Sequence, residues 1–373
     1  MAQSQILQQI ITNMENVIVG KREVIELALI TLLSDGHLLL EDVPGVGKTT
    51  LGKALAQSIR CSFARIQFTP DTLPGDVTGM SIYQMQTGEF RFMPGVVMND
   101  ILLADEINRT SPKTQASLLE AMEERQITVD GNTLPLPELF MVIATQNPVE
   151  QLGTYRLPEA QLDRFLMKIS MGYPEKEKEE ADIVRRALNG EPVKQLSPVT
   201  TREEIIEMKK ELRDVRVHDD IMSYAVEIAR NTRKSRYLTL GASPRAAIAL
   251  VRAARSRAYL EGRSFTTPED VAALAQPVLL HRLILSAQAR LEGKKRKGCA
   301  AGSHACSKSA CFYEEKEKEG KTPEKPMGQA HLSAFPHRFH NPGQLPGRKY
   351  FLSAFLFRPS AACTGFSLFP VCF

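Results

Sequence analysis

Residues His37-Leu-Leu-Leu-Glu41 form an apolar run, and Leu51-Gly-Lys-Ala-Leu-Ala-Gln57 has helical spacing. Between them lies Asp42-Val-Pro-Gly-Val-Gly-Lys-Thr-Thr50. A glycine loop joining a buried strand to a helix is the setting a phosphate cradle needs, and it commits the chain to an α/β core. Gly45 and Gly47 can take backbone angles that turn N–H groups onto phosphate oxygens. Lys48 is placed to reach the β- and γ-phosphates, and Thr49 to put its hydroxyl on Mg²⁺. The full phosphate-loop signature would have glycine at position 42, where this chain has Asp42.

The chain has 373 residues, enough for two domains, with 24% charged and 43% hydrophobic residues. The net charge of +4 is too small for this length to argue for nucleic acid as a partner. No apolar run approaches the ~20 residues that span a bilayer. The N-terminus is not a basic-then-apolar signal segment, so a cytoplasmic location is expected. Only Cys61 lies in the first 298 residues, while five cysteines crowd the last 75 at spacings that match no zinc template.

In chain order, residues 4–33 carry apolar positions at helical spacing, interrupted by Val17-Ile-Val-Gly20. This elbow is a candidate wall for adenine, or simply core. Ser62–Phe68 alternates as a second strand, and Leu73–Gly79 breaks the pattern. Ser81–Phe92 reads as a hairpin about a Thr-Gly turn, with apolar positions suited to a partner or a neighbouring subunit. Asp100-Ile-Leu-Leu-Ala-Asp-Glu106 is a buried strand ending in two acids, which places them at the carboxyl edge of a parallel sheet. Asp105 is suited to hold Mg²⁺ and Glu106 to polarise an attacking water. A helix start that merely welcomes acids is the competing reading. Gln126–Leu136 is a second hairpin with Asp-Gly at its turn. Phe140–Asn147 is a further buried strand, and Asn147 at its tip is a candidate to orient the same water. Leu157–Phe165 reads as a short helix ahead of a strand over 165–170. Arg164 at its end suits an ion pair with Asp163, or the phosphate site of the next subunit. Arg156 is the rival candidate.

From Tyr173 onward the pattern is helical, over 175–189, 202–212, 218–233, 243–260 and 268–292, giving a second, all-helical domain. Arg245 opens one of these helices and is a candidate to reach back to the γ-phosphate. Residues 294–373 have no sustained periodicity and are expected to be of low order. A non-native extension, read in a shifted frame after Lys294–Lys297, is one reading of them. The expected layout is a core over 1–172, a helical lid over 173–293 and the tail over 294–373.

With these residues together, the chain resembles an AAA+ ATPase of the MoxR family over residues 5–293. The resemblance rests on Glu41–Thr49, Leu102–Arg109, Ala144–Pro148, Leu157–Phe165 and Ala242–Arg245. It implies a Walker A loop whose candidate nucleotide contacts are Pro44, Gly45, Val46, Gly47, Lys48, Thr49 and Thr50, with Val19 and Gly20 against adenine. Asp105 and Glu106 resemble Walker B, with Thr49 and Asp105 toward the metal. Asn147 resembles sensor 1, Arg164 the arginine finger and Arg245 sensor 2. ATP and Mg²⁺ are the implied ligands. Rings, commonly hexamers, and chaperone-like remodelling alongside a von Willebrand factor A-type partner and a protein client, with metal or cofactor insertion as one form of that work, are the implied function. A nucleotide-gated scaffold with little turnover and a DNA-dependent motor are the alternatives.

Overall fold

The computed structural model describes residues 2–148, 155–188, 190 and 192–292. The expected tail therefore lies outside the described residues. Helices α1 (Ala2–Glu15) and α2 (Arg22–Leu33) precede strand β1 (Leu38–Glu41) and helix α3 (Lys48–Ser58). Strand β2 (Phe63–Gln67), the short helix α4 (Pro74–Thr78) and the strands β3 (Gly79–Gln84) and β4 (Glu89–Pro94) follow. Then come β5 (Ile101–Asp105), α5 (Pro112–Glu124), β6 (Gln126–Val129), β7 (Asn132–Pro135), β8 (Met141–Gln146), α6 (Glu159–Leu162) and β9 (Met167–Ile169).

Five strands make one parallel sheet in the order β2-β5-β8-β1-β9. The strands are short and apolar because both faces are covered. Alternation sorts them: Leu38, Leu40, Ile101, Leu103, Met141 and Ile143 join a cluster with α1, α2 and α3. Leu39, Leu102, Ala104, Val142 and Ala144 join a second cluster beneath α5. The two hairpins, β3–β4 and β6–β7, stand apart from this sheet as separate two-stranded ribbons. The segment 73–79, which breaks the alternation in the sequence, is α4, with Pro74 in its first turn. The β6–β7 turn uses Asp130 and Gly131 with positive φ, which suits a two-residue hairpin loop.

The second half comprises α7 (Glu177–Leu188), α8 (Arg202–Glu211), α9 (Asp219–Lys234), β10 (Leu238–Leu240), α10 (Pro244–Leu260), α11 (Pro268–Leu279), β11 (Ile284–Leu285) and α12 (Ala287–Leu291). Two sequence expectations are corrected. The long helix over 268–292 stops at Leu279, two residues after Pro277, which cannot donate within a helix. The region is also not purely helical, because β11 then pairs antiparallel with β10. The buried faces of α8 to α11 belong to the same apolar cluster as α1, α2 and β1. Ser34 Oγ lies 2.7 Å from Ser256 Oγ, and Arg252 donates to the Ser34 carbonyl. Helix α10 is thereby seated on α2.

Candidate nucleotide site

Strand β1 runs out of the sheet into the loop 42–47. Gly45 and Gly47 have φ of +87° and +93°, a region that costs a side-chain-bearing residue about 1–2 kcal/mol. Gly47 sits at the start of α3, and no side chain caps that end. The helix's first bond runs from Leu51 N to Gly47 O at 3.0 Å, so the N–H groups before it have no partner within the helix. A Cβ built on Gly45 meets nothing within 4 Å, and one on Gly47 meets only the Met171 methyl at 3.7 Å. The Lys48 ammonium donates to the Asp42 carbonyl at 2.9 Å. Open space, uncapped donors and a cation make a set that fits a triphosphate.

Asp42, the residue at odds with the signature, is buried. Its carboxylate accepts from Ser170 Oγ at 2.7 Å, Met171 N at 2.6 Å and Gly172 N at 3.2 Å. It thus ties the phosphate loop to the end of β9, where the chain leaves for the helical region. Glycine at this position has no such carboxylate.

Asp105 ends β5 and Glu106 follows it at the same edge. The Thr145 hydroxyl donates to Asp105 Oδ1 at 2.6 Å and accepts from Glu106 N at 2.9 Å, so one side chain of β8 sets both acids. Arg65 Nη2 donates to Asp105 Oδ2 at 2.7 Å. Glu106 has φ +56°, and its carboxylate accepts from Gln67 at 2.5 Å and Arg109 at 3.1 Å. Glu106 leads into a single 3₁₀ turn, Ile107–Arg109, and α5 begins only at Pro112, with Ser111 accepting from Thr114 N.

Asn147 is buried at the tip of β8, next to Gln146, whose carbonyl accepts from Asp42 N at 3.2 Å. It stands on the strand between the phosphate loop and the acid pair. The elbow before α2 lies against α7. Gly20 has φ +70°, and a Cβ there would fall 2.5 Å from the Glu179 carboxylate. Lys21 Nζ donates to the Tyr173 carbonyl at 2.8 Å.

The two arginines lie elsewhere. Arg164 donates to Glu123 Oε2 at 2.6 Å and Arg245 to Glu123 Oε1 at 2.9 Å. They line a cleft of about 500 Å³ with Asp35, Gly36 and His37, the residues that lead into β1. This is the amino edge of the sheet, a strand length, roughly 13–20 Å, from the phosphate loop. Burial pushes the Glu123 carboxyl up, but the hydrogen bonds and charges of Arg164 and Arg245 outweigh it and hold it below the ordinary carboxylate range. The reach of Arg245 to its own protomer's γ-phosphate, open in the sequence, is not made, because α10 is seated on α2 and carries Arg245 to the far edge. Nor does Arg164 pair with Asp163. The Asp163 carboxylate instead takes Arg282 at 2.5 Å and Ser243 Oγ at 3.2 Å. Arg156 is exposed in the strand-to-helix connection beside Tyr155, whose N–H donates to the Asn108 carbonyl at 2.7 Å.

Sequence reasoning passed over Arg65, Gln67, Thr145 and Glu123. Arg65 and Gln67 share one face of β2 at i, i+2 spacing, a signal that was available. Glu123 carried none, since its partners are 41 and 122 residues away.

The description "ATPase family associated with various cellular activities (AAA)" matches residues 37–167, and "AAA lid domain" matches 230–297. The chain is 52% identical to YeaC of Bacillus subtilis over 288 residues, 77% of this chain and 90% of that one. It is 41% identical to Chaperone MoxR1 of Mycobacterium tuberculosis over 294 residues, 76% of this chain and 77% of that one. It is 32% identical to Protein MoxR of Methylorubrum extorquens over 72% of this chain and 84% of that one. A crystal structure from Cytophaga hutchinsonii superposes with a TM-score of 0.76 at 38% identity, covering 80% of this chain and 93% of that one. Among the described residues no helix is long and apolar enough to cross a membrane. The parallel sheet, the glycine loop at its carboxyl edge, the acid pair beside it and these relatives place the chain in the MoxR family of AAA+ ATPases.

Proposed function

We propose that the chain is an ATP hydrolase whose site is completed between neighbouring protomers of a ring, commonly six, and that turnover drives chaperone-like remodelling of partner proteins. The reading is carried by one observation: the phosphate loop and acid pair occupy one edge of the sheet, and Arg164 and Arg245 share Glu123 at the other. Arginines held a strand length from their own phosphate loop are placed to serve another copy's.

In this reading the N–H groups of Gly45 to Thr50 and the Lys48 ammonium bind the phosphates, with Pro44 and Val46 shaping the loop and Val19 and Gly20 against the base. Thr49 and Asp105 are the residues that would hold Mg²⁺, which when bound supplies positive charge to the β- and γ-oxygens. Glu106 accepts a proton from the attacking water, Asn147 orients that water, and Arg164 and Arg245 of a neighbour stabilise the developing charge. The proposed partners are a von Willebrand factor A-type protein and a protein client, in the cytoplasm. The name of the Mycobacterium tuberculosis relative, a chaperone, supports the remodelling half.

The test uses two variants. Glu106→Gln is expected to bind ATP with unchanged affinity and to lose turnover by about a hundredfold or more. Arg164→Ala and Lys48→Ala are each expected to be inactive alone. Mixing them should restore part of the turnover, since one supplies the cradle and the other the arginine. Wild-type turnover in Glu106→Gln removes the role of that acid, and a mixture as dead as its components removes the shared site.

A further inference from the structure

Helices α9 and α10 enclose a groove of about 710 Å³ on the outside of the helical region. Its floor is apolar, with Met222 and Val226 from α9 and Ile248 and Val251 from α10. Ile248 is 60% exposed and Val226 46%. Its rim is basic: Arg230 and Arg233 on one side, Arg252 and Arg255 on the other, with no acidic residue among those that line it. Among the described residues the buried Nε of Arg255 has no hydrogen-bond partner. Burial, and then the neighbouring guanidiniums of Arg252 and Arg213, depress the Arg255 pKa.

Helix α7 has the opposite character. None of its residues is buried. Its inner side is fixed by Glu179 against Gly20 and by Arg186, which donates to the Glu15 and Asn16 carbonyls. At i, i+3/i+4 spacing the outer side presents Glu177, Glu180, Val184 and Leu188, with Val184 55% and Leu188 82% exposed. Acids occupy its first half and apolar side chains its second. The twelve residues of α7 measure about 18 Å, the same as the twelve residues of α9 from Met222 to Arg233.

We infer that the groove between α9 and α10 receives α7 of a second copy of this chain, with Val184 and Leu188 on the apolar floor and Glu177 and Glu180 against the arginine rim. Two placements favour a second copy over an unrelated partner. Ile248 and Arg252 line both this groove and the cleft that holds Arg164 and Arg245. α7 itself packs on the Gly20 elbow beside the phosphate loop. The contact therefore brings the arginine edge of one copy to the nucleotide side of the next. It joins two different patches, so it is head-to-tail and leaves each copy able to bind onward, as ring formation requires. The inference deepens the reading of a site shared between protomers and rests on it.

The experiment uses the full chain. Val184→Glu spoils the helix and leaves the groove, and Ile248→Glu does the reverse. By sedimentation velocity at a concentration where wild type is multimeric, each variant is expected to be a monomer. Their equimolar mixture is expected to form dimers and nothing larger, since only one sound junction can be made. Charge reversal checks this without touching apolar packing. Glu180→Arg and Arg230→Glu each weaken self-association about tenfold, and the double variant returns it to within about threefold of wild type. A monomeric wild type, multimeric single variants, a mixture that stays monomeric, or no recovery in the double variant overturns the inference. Nucleotide titration of the same single variants reads the phosphate loop separately: uptake by variants that remain multimeric refutes the groove alone, and no uptake by wild type refutes the ATPase reading alone.

Discussion

The backbone N–H of Met171 points at Asp42 Oδ2 from 2.6 Å, joining the phosphate loop to the strand end that leads into the helical region. Ser170 and Gly172 add two more donors to the same carboxylate. Asp42→Asn replaces one accepting oxygen with a donor and leaves at least one of these groups unpaired. A loss of about 1–3 kcal/mol in stability is expected. Because Asp42 O also accepts from Lys48, weaker nucleotide affinity should accompany it. Chemical denaturation and nucleotide titration of the one variant check both. Loss of stability with unchanged affinity shows that the tether does not position the loop.

Thr145→Val keeps shape and removes the hydroxyl that Asp105 accepts from and Glu106 N donates to. The expected outcome is a fall in turnover of about 10- to 100-fold, the range seen when a group that orients a functional carboxylate is removed. Nucleotide affinity should change far less. Thr145→Ser, which retains the hydroxyl, should recover most of the turnover. Steady-state kinetics beside a binding isotherm separates the two effects.

His37 is fully buried, with Nε2–H donating to the Met122 carbonyl at 3.1 Å and Nδ1 accepting from Val142 N at 3.0 Å. Burial first, then the charge of Arg125, lowers its pKa from 6.5 to about 3. The fold holds the neutral ring, while the unfolded chain takes up a proton below pH 6.5. Stability from this group is therefore intact above pH 6.5 and is lost as pH falls toward 3, at roughly 1.4 kcal/mol per pH unit. Denaturation midpoints at pH 7.5, 6.5 and 5.5 measure this. His37→Gln should be less stable throughout and should show a shallower decline below pH 6.5.

Cys61 is pushed up to about 12, chiefly by burial and then by the charge of Asp100. Its thiolate population at pH 8 is about one in ten thousand. A maleimide applied to the native protein should leave Cys61 unmodified for hours, and unfolding in denaturant should expose it to complete labelling. Peptide mapping reads Cys61 apart from the other cysteines.

The α/β core was legible because its signals are local. The apolar runs of β1, β5 and β8 each end in a loop or an acid, and the Asp130-Gly131 turn fixes its own hairpin. Gly45, Gly47, Lys48, Asp105, Glu106 and Asn147 fall at the carboxyl edge because each follows a strand of a parallel sheet. Connectivity alone puts them there. The helices of the second half were legible from period, with one exception. Pro277 lies inside α11 and the chain turns at Leu279, a stop that the apolar pattern through Leu283 concealed.

What a side chain does beyond its own strand or helix was settled by packing. Asp42 looked like a blemish in a motif and is a three-donor tether, because β9 lies beside β1 and delivers Ser170 to Gly172. Arg164 and Arg245 share Glu123 because α6 and α10 meet the end of α5, contacts between positions 41 and 122 residues apart. Local sequence determines which residues end a strand or start a helix, since dihedral preference and hydrophobic period act over a few residues. Which edge of the sheet an arginine reaches depends on how α10 is seated on α2, and only the folded core decides that.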